Sequence, residues 1–505
     1  MQNHILNYLY KSAKRVPDKI AFSDGSSENL TFSRLLRHTR GVGTALHQRG
    51  IYKQPVVVFM KKSPAEIAAF FGVVAGGCFY VPIDEEMPAA RIQLILDNLR
   101  PPLVICDRDA LDLTKNFRLD SGETVLFEDL ARTDPDLLAL EDIQRKSIDT
   151  DPIYVVFTSG STGIPKGVAS CHRAVVDYIE QLSEVLALDG DTVFGSQTPL
   201  YFDACLKELI GTIRCGATTY LIPKNLFSTP VPLVEYLNAH RINTLCWVVS
   251  ALTMISAFGT FDLVKPEHLR TVAFGSEVFP VKQFNRWWEA VPGAAFINLY
   301  GPTEGTGMCC SYRVRRPFAN GEAIPIGQPF PNREILLLTK DGTLAAEGEE
   351  GEICIRGTSL ALGYYNDPGR TRESFVQNPL NTAYPELIYK TGDIARRNAD
   401  GDLVFVSRKD YQVKHMGHRI ELGEIEVQAA MLPGVKIAAC IYDAKKGKII
   451  LYYMGDPAER DLLALLKTKL PRYMLPQKLF RRDALPFTAN GKLDRKALKS
   501  EYEAG

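Results

Sequence analysis

No stretch of this 505-residue chain approaches the roughly 18 consecutive apolar residues of a membrane-crossing helix, so no membrane insertion is expected. Met1 to Asp24 is amphipathic and mixed in charge. It lacks an apolar h-region and a small-residue cleavage site, so it does not read as a secretory signal. Net charge is missing too. Lys plus Arg and Asp plus Glu both number 59, which leaves no basic field for a nucleic acid. Ten cysteines are present, yet no Cys-x-x-Cys pair and no Cys/His metal spacing occurs. They stand in core-like settings such as Gly77-Cys78-Phe79 and Ile353-Cys354-Ile355, with only Cys309 and Cys310 adjacent. They read as reduced thiols of a cytoplasmic protein. Solenoid-length repeats are absent. What is left is an ordinary globular composition, 46% hydrophobic and 23% charged, on a chain too long for one core. Two or more domains are expected.

Residues 4–16 read as a helix, Lys19 to Phe22 as a short strand, and Leu30 to Arg49 as a helix with Leu35, Val42 and Leu46 on one face. Pro55 to Met60 predicts a strand, Pro64 to Val74 a helix, and Pro102 to Cys106 a strand. This rhythm predicts a doubly wound parallel sheet. Residues 107–151 are charged and weakly periodic, and read as a peripheral loop or short helices. A helix over 172–186, an apolar helix opened by Tyr201 to Glu208, and strands at 216–223 and 244–249 point to a second sheet. Residues 321–406 are strand-rich and suggest a small β-barrel. Beyond 407–414 lies an α+β piece, with helices over 422–430 and 458–470 and strands over 435–442 and 448–454.

Chemistry concentrates first at residues 154–168. The apolar run Tyr154 to Phe157 predicts a buried strand. It empties into Thr158, Ser159, Gly160, Ser161, Thr162 and Gly163, then Pro165, Lys166 and Gly167. Glycines allow close backbone approach. Hydroxyls and N–H groups cradle anionic oxygens, and Lys166 adds a mobile positive charge. The combination suits a polyphosphate. It is not a Walker loop, because Ile-Pro separates Gly163 from Lys166 and no Ser or Thr follows the lysine. Thr271 to Glu277 and Phe296 to Gly305 each run from a strand into a polar turn, where open α/β sheets bind ligands.

The 154–168 stretch resembles the phosphate loop of the adenylate-forming superfamily, which includes amino-acid adenylation domains, acyl-CoA ligases and luciferases. The resemblance extends along nearly the whole chain. Its other carriers are Asn298 to Glu304, Gly363 to Pro368 with Arg372 and Phe375, Tyr389 to Asp393, Arg408 to Lys414, Gly417 to Glu426, and Asn490-Gly491-Lys492. The Arg408 and Gly423-Glu424-Ile425-Glu426 runs look most like amino-acid adenylation domains of the nonribosomal-peptide-synthetase type. Residues 67–91 look like the family's early core motif and read as packing.

The resemblance implies an α/β plus α+β fold. Residues 1–407 would form a large N-terminal domain of two αβ-layered sheets and a small β-barrel. Residues 408–410 would be a hinge, and 411–505 a small mobile α+β domain. ATP and AMP would be held by Thr158, Ser159, Gly160, Ser161, Thr162, Gly163, Lys166, Asn298, Tyr300, Gly301, Asp393 and Arg408. In that set Tyr300 offers a face to adenine, Asn298 bonds the adenine amino group, and Asp393, helped by Arg408, takes the ribose hydroxyls. Thr303 would touch phosphate, Glu304 would hold Mg²⁺, and Lys492 would contact the reacting carboxylate. Rotation at Asp410 would withdraw Lys492 and bring Gly417 to the tunnel for a pantetheine thiol.

Asp203 matches the aspartate that pairs with a substrate α-ammonium, and a helix-capping role is its alternative. The pocket would be lined by Ala204, Lys207, Cys246, Val272, Phe274, Gly275, Leu299, Gly307 and Met308. Phe274 is bulky and implies a shallow pocket. With Glu277-Val278 and Pro280 it is similar to D-alanine:carrier-protein ligases, from which Lys207 and Gly275-Ser276 depart. Lys207 would either snorkel outward or pair with an acidic substrate side chain, so small and acidic amino acids both stay open.

The resulting expectation is an amino-acid adenylating ligase using ATP and Mg²⁺. It would make aminoacyl-AMP and pass it to the phosphopantetheine of a separate carrier protein, because Leu493 to Gly505 leaves no room for a carrier domain. A D-alanine-specific ligase and an acyl-CoA ligase are the alternatives, and Asp203 opposes the latter. A non-catalytic nucleotide binder is opposed by the intact Lys166, Glu304, Asp393, Arg408 and Lys492.

Overall fold

Pro55–Phe59 is apolar at every position, and the strand it forms is buried at every position. The computed structural model describes residues 2–26, 28–160, 164–409, 412–486 and 493–504. It places this strand inside a seven-stranded sheet. The order is Gly363–Tyr364, Lys166–Cys171, Pro152–Thr158, Phe79–Pro82, Pro55–Phe59, Leu103–Cys106 and Glu123–Leu126. The pairings from Pro152–Thr158 onward are parallel, and the two before it are antiparallel. The helix Pro64–Ala75 starts where Ser63 accepts the Glu66 N–H and Pro64 opens the first turn.

A nine-stranded sheet carries the parallel strands Val193–Ser196, Thr244–Val248, Thr271–Gly275 and Ala295–Tyr300 at its centre. Register pairs Val248 with Gly275 and Gly275 with Leu299, so their carboxyl ends are level. The expected small β-barrel is realised as a half-barrel, a five-stranded antiparallel sheet with Gly351–Gly357 and Leu387–Arg397 at its centre. Beyond it, Gln412–His415 and His418–Glu421 form a hairpin, followed by the helix Leu422–Ala430 and a three-stranded sheet. Ile420, Ile425, Leu451 and Leu462 belong to a hydrophobic cluster drawn only from this C-terminal unit.

Two elements differ from expectation. Residues 107–151 include the strand Glu123–Leu126, half-exposed at the sheet's edge and so without a clean alternating pattern. Lys166 does not sit in a loop. It begins the strand Lys166–Cys171, whose small residues carry little strand propensity but pair with Pro152–Thr158. All ten cysteines are buried and unbridged. Among the described residues, no helix is long and apolar enough to cross a membrane.

Candidate active site

The loop between Thr158 and Lys166 joins paired strand ends, because those two residues are direct partners. A Cβ at Gly160 would lie 2.1 Å from the Ile164 carbonyl oxygen, so glycine lets the chain double back. Ser161, Thr162 and Gly163 lie outside the described residues, as do Asp410 and Lys492. Thr158 and Ser159 are buried. The return strand aims Lys166 at Glu304, Nζ donating to Oε1 at 3.0 Å.

Glu304 follows the strand Ala295–Tyr300 in the one-turn segment Thr303–Gly305. It is fully buried and ringed by donors. Tyr364 Oη donates to Oε1 at 2.7 Å, and Arg419 Nη1 to Oε2 at 2.8 Å. Burial alone would raise its pKa. Arg419, Lys166 and the Tyr364 hydroxyl outweigh burial and hold the carboxyl well below the usual range. Burial lowers the Lys166 pKa, with Glu304 pulling it back up.

Asn298 and Tyr300 are two apart on one strand and so share a face. Asn298 Nδ2 donates to the Pro325 carbonyl at 2.8 Å, which fixes its amide. Tyr300 Oη donates to Asp393 Oδ2 at 2.5 Å, and Arg408 Nη1 donates to Asp393 Oδ1 at 2.5 Å. The carboxylate expected to take the ribose hydroxyls is thus oriented by a phenol and a guanidinium. Burial, then Asp393, push the Tyr300 hydroxyl well above its ordinary pKa and keep it a donor. Lys414 Nζ sits 5.5 Å from the Tyr300 ring centroid. Gly301 lets this segment pass against the Gly307 carbonyl.

At the level strand ends lies a cavity of about 10 Å³, room for about one water molecule. Ala204, Lys207, Cys246, Phe274, Gly275, Leu299 and Met308 line it, joined by Thr198, Trp247, Val248, Ala273 and Ser276. Val272 does not. Strand alternation turns it into the aromatic cluster of Phe284, Trp287 and Phe296, and Ala273 faces the cavity instead. Gly307 also stays out, packed on the Tyr178 ring that a Cβ would meet at 2.7 Å. Phe274 borders the cavity but shares the strand face of Val272, so its ring packs into the same aromatic cluster, edge-on to Phe279 at 5.0 Å, and it does not set the depth of the pocket as its bulk suggested.

Lys207 is 4% exposed, so it does not snorkel to solvent. Its charge acts on Asp203 and Glu208. Asp203, partly buried, caps neither neighbouring helical segment, whose cap positions are Phe202 and Cys205. Burial raises its pKa against the pull of Lys207 and Thr303. Glu208 is fully buried, with neither carboxylate oxygen hydrogen-bonded among the described residues. Burial pushes it up to about 7 against Lys207 and Lys62.

Residues 9–365 match the family model described as AMP-binding enzyme. The chain belongs to the AMP-binding enzyme family. It is 31% identical to tyrocidine synthase 1 of Brevibacillus parabrevis over 513 residues, covering 98% of this chain and 45% of that one. It is 30% identical to zwittermicin A synthase ZmaJ of Bacillus cereus over 521 residues, covering 99% of this chain and 95% of ZmaJ. The solved structure of holo-PA1221 matches with TM-score 0.82 at 25% identity, covering 99% of this chain and 84% of that one. PA1221 is an NRPS protein containing adenylation and PCP domains, bound there to a vinylsulfonamide inhibitor. This AMP-binding enzyme spans less than half of tyrocidine synthase 1. It is an ATP-dependent, AMP-forming ligase of nonribosomal-peptide-synthetase adenylation type.

No group of three or more His, Cys, Asp or Glu able to cage a metal exists among the enzyme's described residues. The donors fit Mg²⁺ that arrives with phosphate. Glu304 is one strongly acidic buried carboxylate beside the Thr303 hydroxyl, and Mg²⁺ typically takes one or two carboxylates plus substrate oxygens.

Several partners went unread in the sequence. Tyr364 and Arg419 sit inside recognised motifs, yet nothing local marks them as Glu304 donors. Arg91 falls in the stretch read as packing, and it is a buried ion-pair partner of Glu424. Gly417, at φ +79°, places its turn against Val248 of the pocket wall, where a Cβ would sit 2.6 Å from that side chain. Its N–H donates to Glu277 Oε1 at 2.8 Å.

Proposed function

We propose that this enzyme joins a small, neutral amino acid to AMP and then passes it to the phosphopantetheine thiol of a separate carrier protein. The observation that carries the reading is Asp203. It adjoins Ala204 on the wall of a cavity with room for about one water, and its carboxylate feels the charge of Lys207.

In the first half-reaction an oxygen of the amino-acid carboxylate bonds to the α-phosphorus as the bond to the pyrophosphate oxygen breaks. Asp203 pairs with the α-ammonium and fixes the attacking end. Cys246, Leu299 and Met308 line the space left for the side chain. Lys166, and Lys492 by the family resemblance, bring positive charge to the reacting oxygens. Glu304 and Thr303 would hold Mg²⁺, which neutralises phosphate charge when bound. Asp393, oriented by Tyr300 and Arg408, holds the ribose. In the second half-reaction the carrier thiol sulfur bonds to the acyl carbon, its proton is released, and AMP leaves. The Gly417 turn at Val248 is where the thiol would arrive, after rotation at Asp410. The adenylation and carrier domains joined in PA1221 support this second step, and the full-length match to ZmaJ supports a carrier supplied separately.

Lys207 on the cavity wall favours a second reading, an acidic amino acid. Against it, the ammonium already acts on Asp203 and Glu208, and the cavity leaves no space for a further carboxylate. D-Alanine belongs to the small class, and an acyl-CoA ligase would leave Asp203 without a partner. The test is amino-acid-dependent ATP–pyrophosphate exchange with glycine, both alanines, serine, aspartate, glutamate, larger residues and short fatty acids. Glycine, alanine or serine should respond most strongly. A best response to aspartate or glutamate overturns the small-substrate reading, and one to a fatty acid overturns the amino-acid reading. Mass gain on a separate holo-carrier tests the second step.

A further inference from the structure

Met308 lines the substrate cavity, and its carbonyl is held from behind. The donor is Nη1 of Arg333, the first residue of the half-barrel strand Arg333–Leu338. The Arg333 side chain is fully buried. Its Nε and Nη2 donate to Asp177 Oδ2, on the helix His172–Val185, at 3.2 and 3.0 Å. That pairing occupies one edge of the guanidinium fork and leaves Nη1 for the Met308 carbonyl. Asp177 is itself oriented. Asn332 Nδ2 donates to Asp177 Oδ1 at 2.7 Å and to Thr358 Oγ1 at 2.7 Å. Asn332 stands at φ +63°, a left-handed conformation that asparagine tolerates. The guanidinium carbon lies 5.3 Å from the Phe330 ring centroid and 5.7 Å from that of Tyr178.

The chain on either side of Met308 is fixed as well. The Cys309 N–H donates to the Tyr300 carbonyl at 2.7 Å, the Phe330 N–H donates to the Cys309 carbonyl at 2.8 Å, and Gly307 packs on Tyr178. The Arg333 contact acts on the Met308 peptide itself. Methionine is unbranched and adapts its shape, so on a loose backbone it would yield to substrates of several sizes. The cavity has room for about one water, and a wall shift of one methylene's width changes which side chain fits. A charge-assisted hydrogen bond in a dry site resists that shift more strongly than a neutral one.

We propose that Arg333, oriented by Asp177, is a specificity-determining positioning residue: by pinning the Met308 carbonyl it sets how large a side chain the pocket accepts. The proposal rests on the reading of this cavity as the site of a small amino acid's side chain. Arg333 stands behind the cavity wall rather than in it, so it acts through Met308 and not on the substrate. Substrate size is then set partly from the half-barrel, 25 residues further along the chain than the residue it holds.

The test is ATP–pyrophosphate exchange by the full chain, comparing its best small substrate with the homologue one methylene longer: glycine against alanine, alanine against 2-aminobutyrate, or serine against homoserine. The ratio of the two kcat/KM values does not depend on how much of a preparation is folded. Arg333→Lys keeps the charge and loses the fork. Asp177→Asn keeps the size and loses the charge that orients Arg333. Each should raise the longer-to-shorter ratio about tenfold, the lower end of what one methylene is worth in an apolar pocket, and leave KM for ATP in place. Asn332→Gly accepts the left-handed turn and alters an exposed residue, so it keeps the fold should the buried variants lose it, and it should move the ratio the same way. Arg356→Lys changes a half-exposed pair with Glu334 on the same sheet and should leave the ratio alone. Equal losses for both substrates, with the ratio unmoved in the folded variants, make Arg333 merely structural and overturn the proposal alone. A wild type that activates none of glycine, alanine and serine overturns it together with the small-amino-acid reading.

Discussion

Replacing Leu299 with alanine should turn a tight pocket into a deep one. Leu299 is 2% exposed, lies level with Gly275 across the sheet and lines the cavity. That cavity is about 10 Å³. Leucine has three more carbons than alanine. At about 0.8 kcal/mol for each buried methylene-sized group, room for them amounts to about 2.4 kcal/mol, or about sixtyfold in kcat/KM relative to alanine. The same truncation leaves a hole in the core and should cost about 2–5 kcal/mol of stability. Thermal unfolding measures that cost and sets the temperature for the comparison. ATP–pyrophosphate exchange with alanine and leucine then gives the ratio of kcat/KM for wild type and variant. A folded Leu299→Ala protein with an unchanged leucine-to-alanine ratio would refute Leu299 as the wall that sets side-chain size.

Asp203→Asn keeps the size and removes the charge that pairs with the ammonium. It should lower kcat/KM for the amino acid about ten- to a hundredfold and leave KM for ATP in place, and a loss of ATP affinity alone would assign Asp203 elsewhere. Acid should weaken the fold through buried histidines. Burial lowers the pKa of His4 to about 4, and burial also holds His172, tilted against it with ring centroids 3.9 Å apart, well below its ordinary value. The unfolded chain takes these protons near pH 6.5 and the folded chain resists them, so stability is full above pH 6.5 and declines toward pH 4. His4 contributes about 3 kcal/mol to that decline. Urea midpoints that match at pH 7 and pH 5 would contradict it. Chelation of Mg²⁺ with EDTA should stop exchange and leave Tm unmoved, because the described residues hold no metal cage. A drop in Tm would reveal a structural ion.

Much of the fold was legible because its elements carry local signals. Ser63-Pro64 announces the helix Pro64–Ala75, and the unbroken apolar run of Pro55–Phe59 announces a strand buried on both faces. Lys166–Cys171 was missed because a strand made largely of small residues draws its stability from its partner. A one-residue offset explains the misplaced pocket wall. The family resemblance pointed to Val272, and the pleat puts Ala273 at the cavity instead.

The site was legible residue by residue and illegible pair by pair. Glu304 stands in a recognisable motif, yet its donors lie 138, 60 and 115 residues away. Arg91 and Glu424 are separated by 333 residues, and nothing local in either motif names the other as its partner. A pattern of polar and apolar residues assigns charge to the outside by default, since a buried charge is tolerable only where the fold brings it a partner or neutralises it. Glu208 is the sharpest case. It follows Lys207 in an apolar helix, lies fully buried, and is affected by both Lys207 and Lys62. Lys62 is held by the carbonyls of Ser196 and Gln197, at the end of the strand Val193–Ser196. The charges behind the pocket are therefore set by contacts among three separate segments, and no window of sequence contains all three.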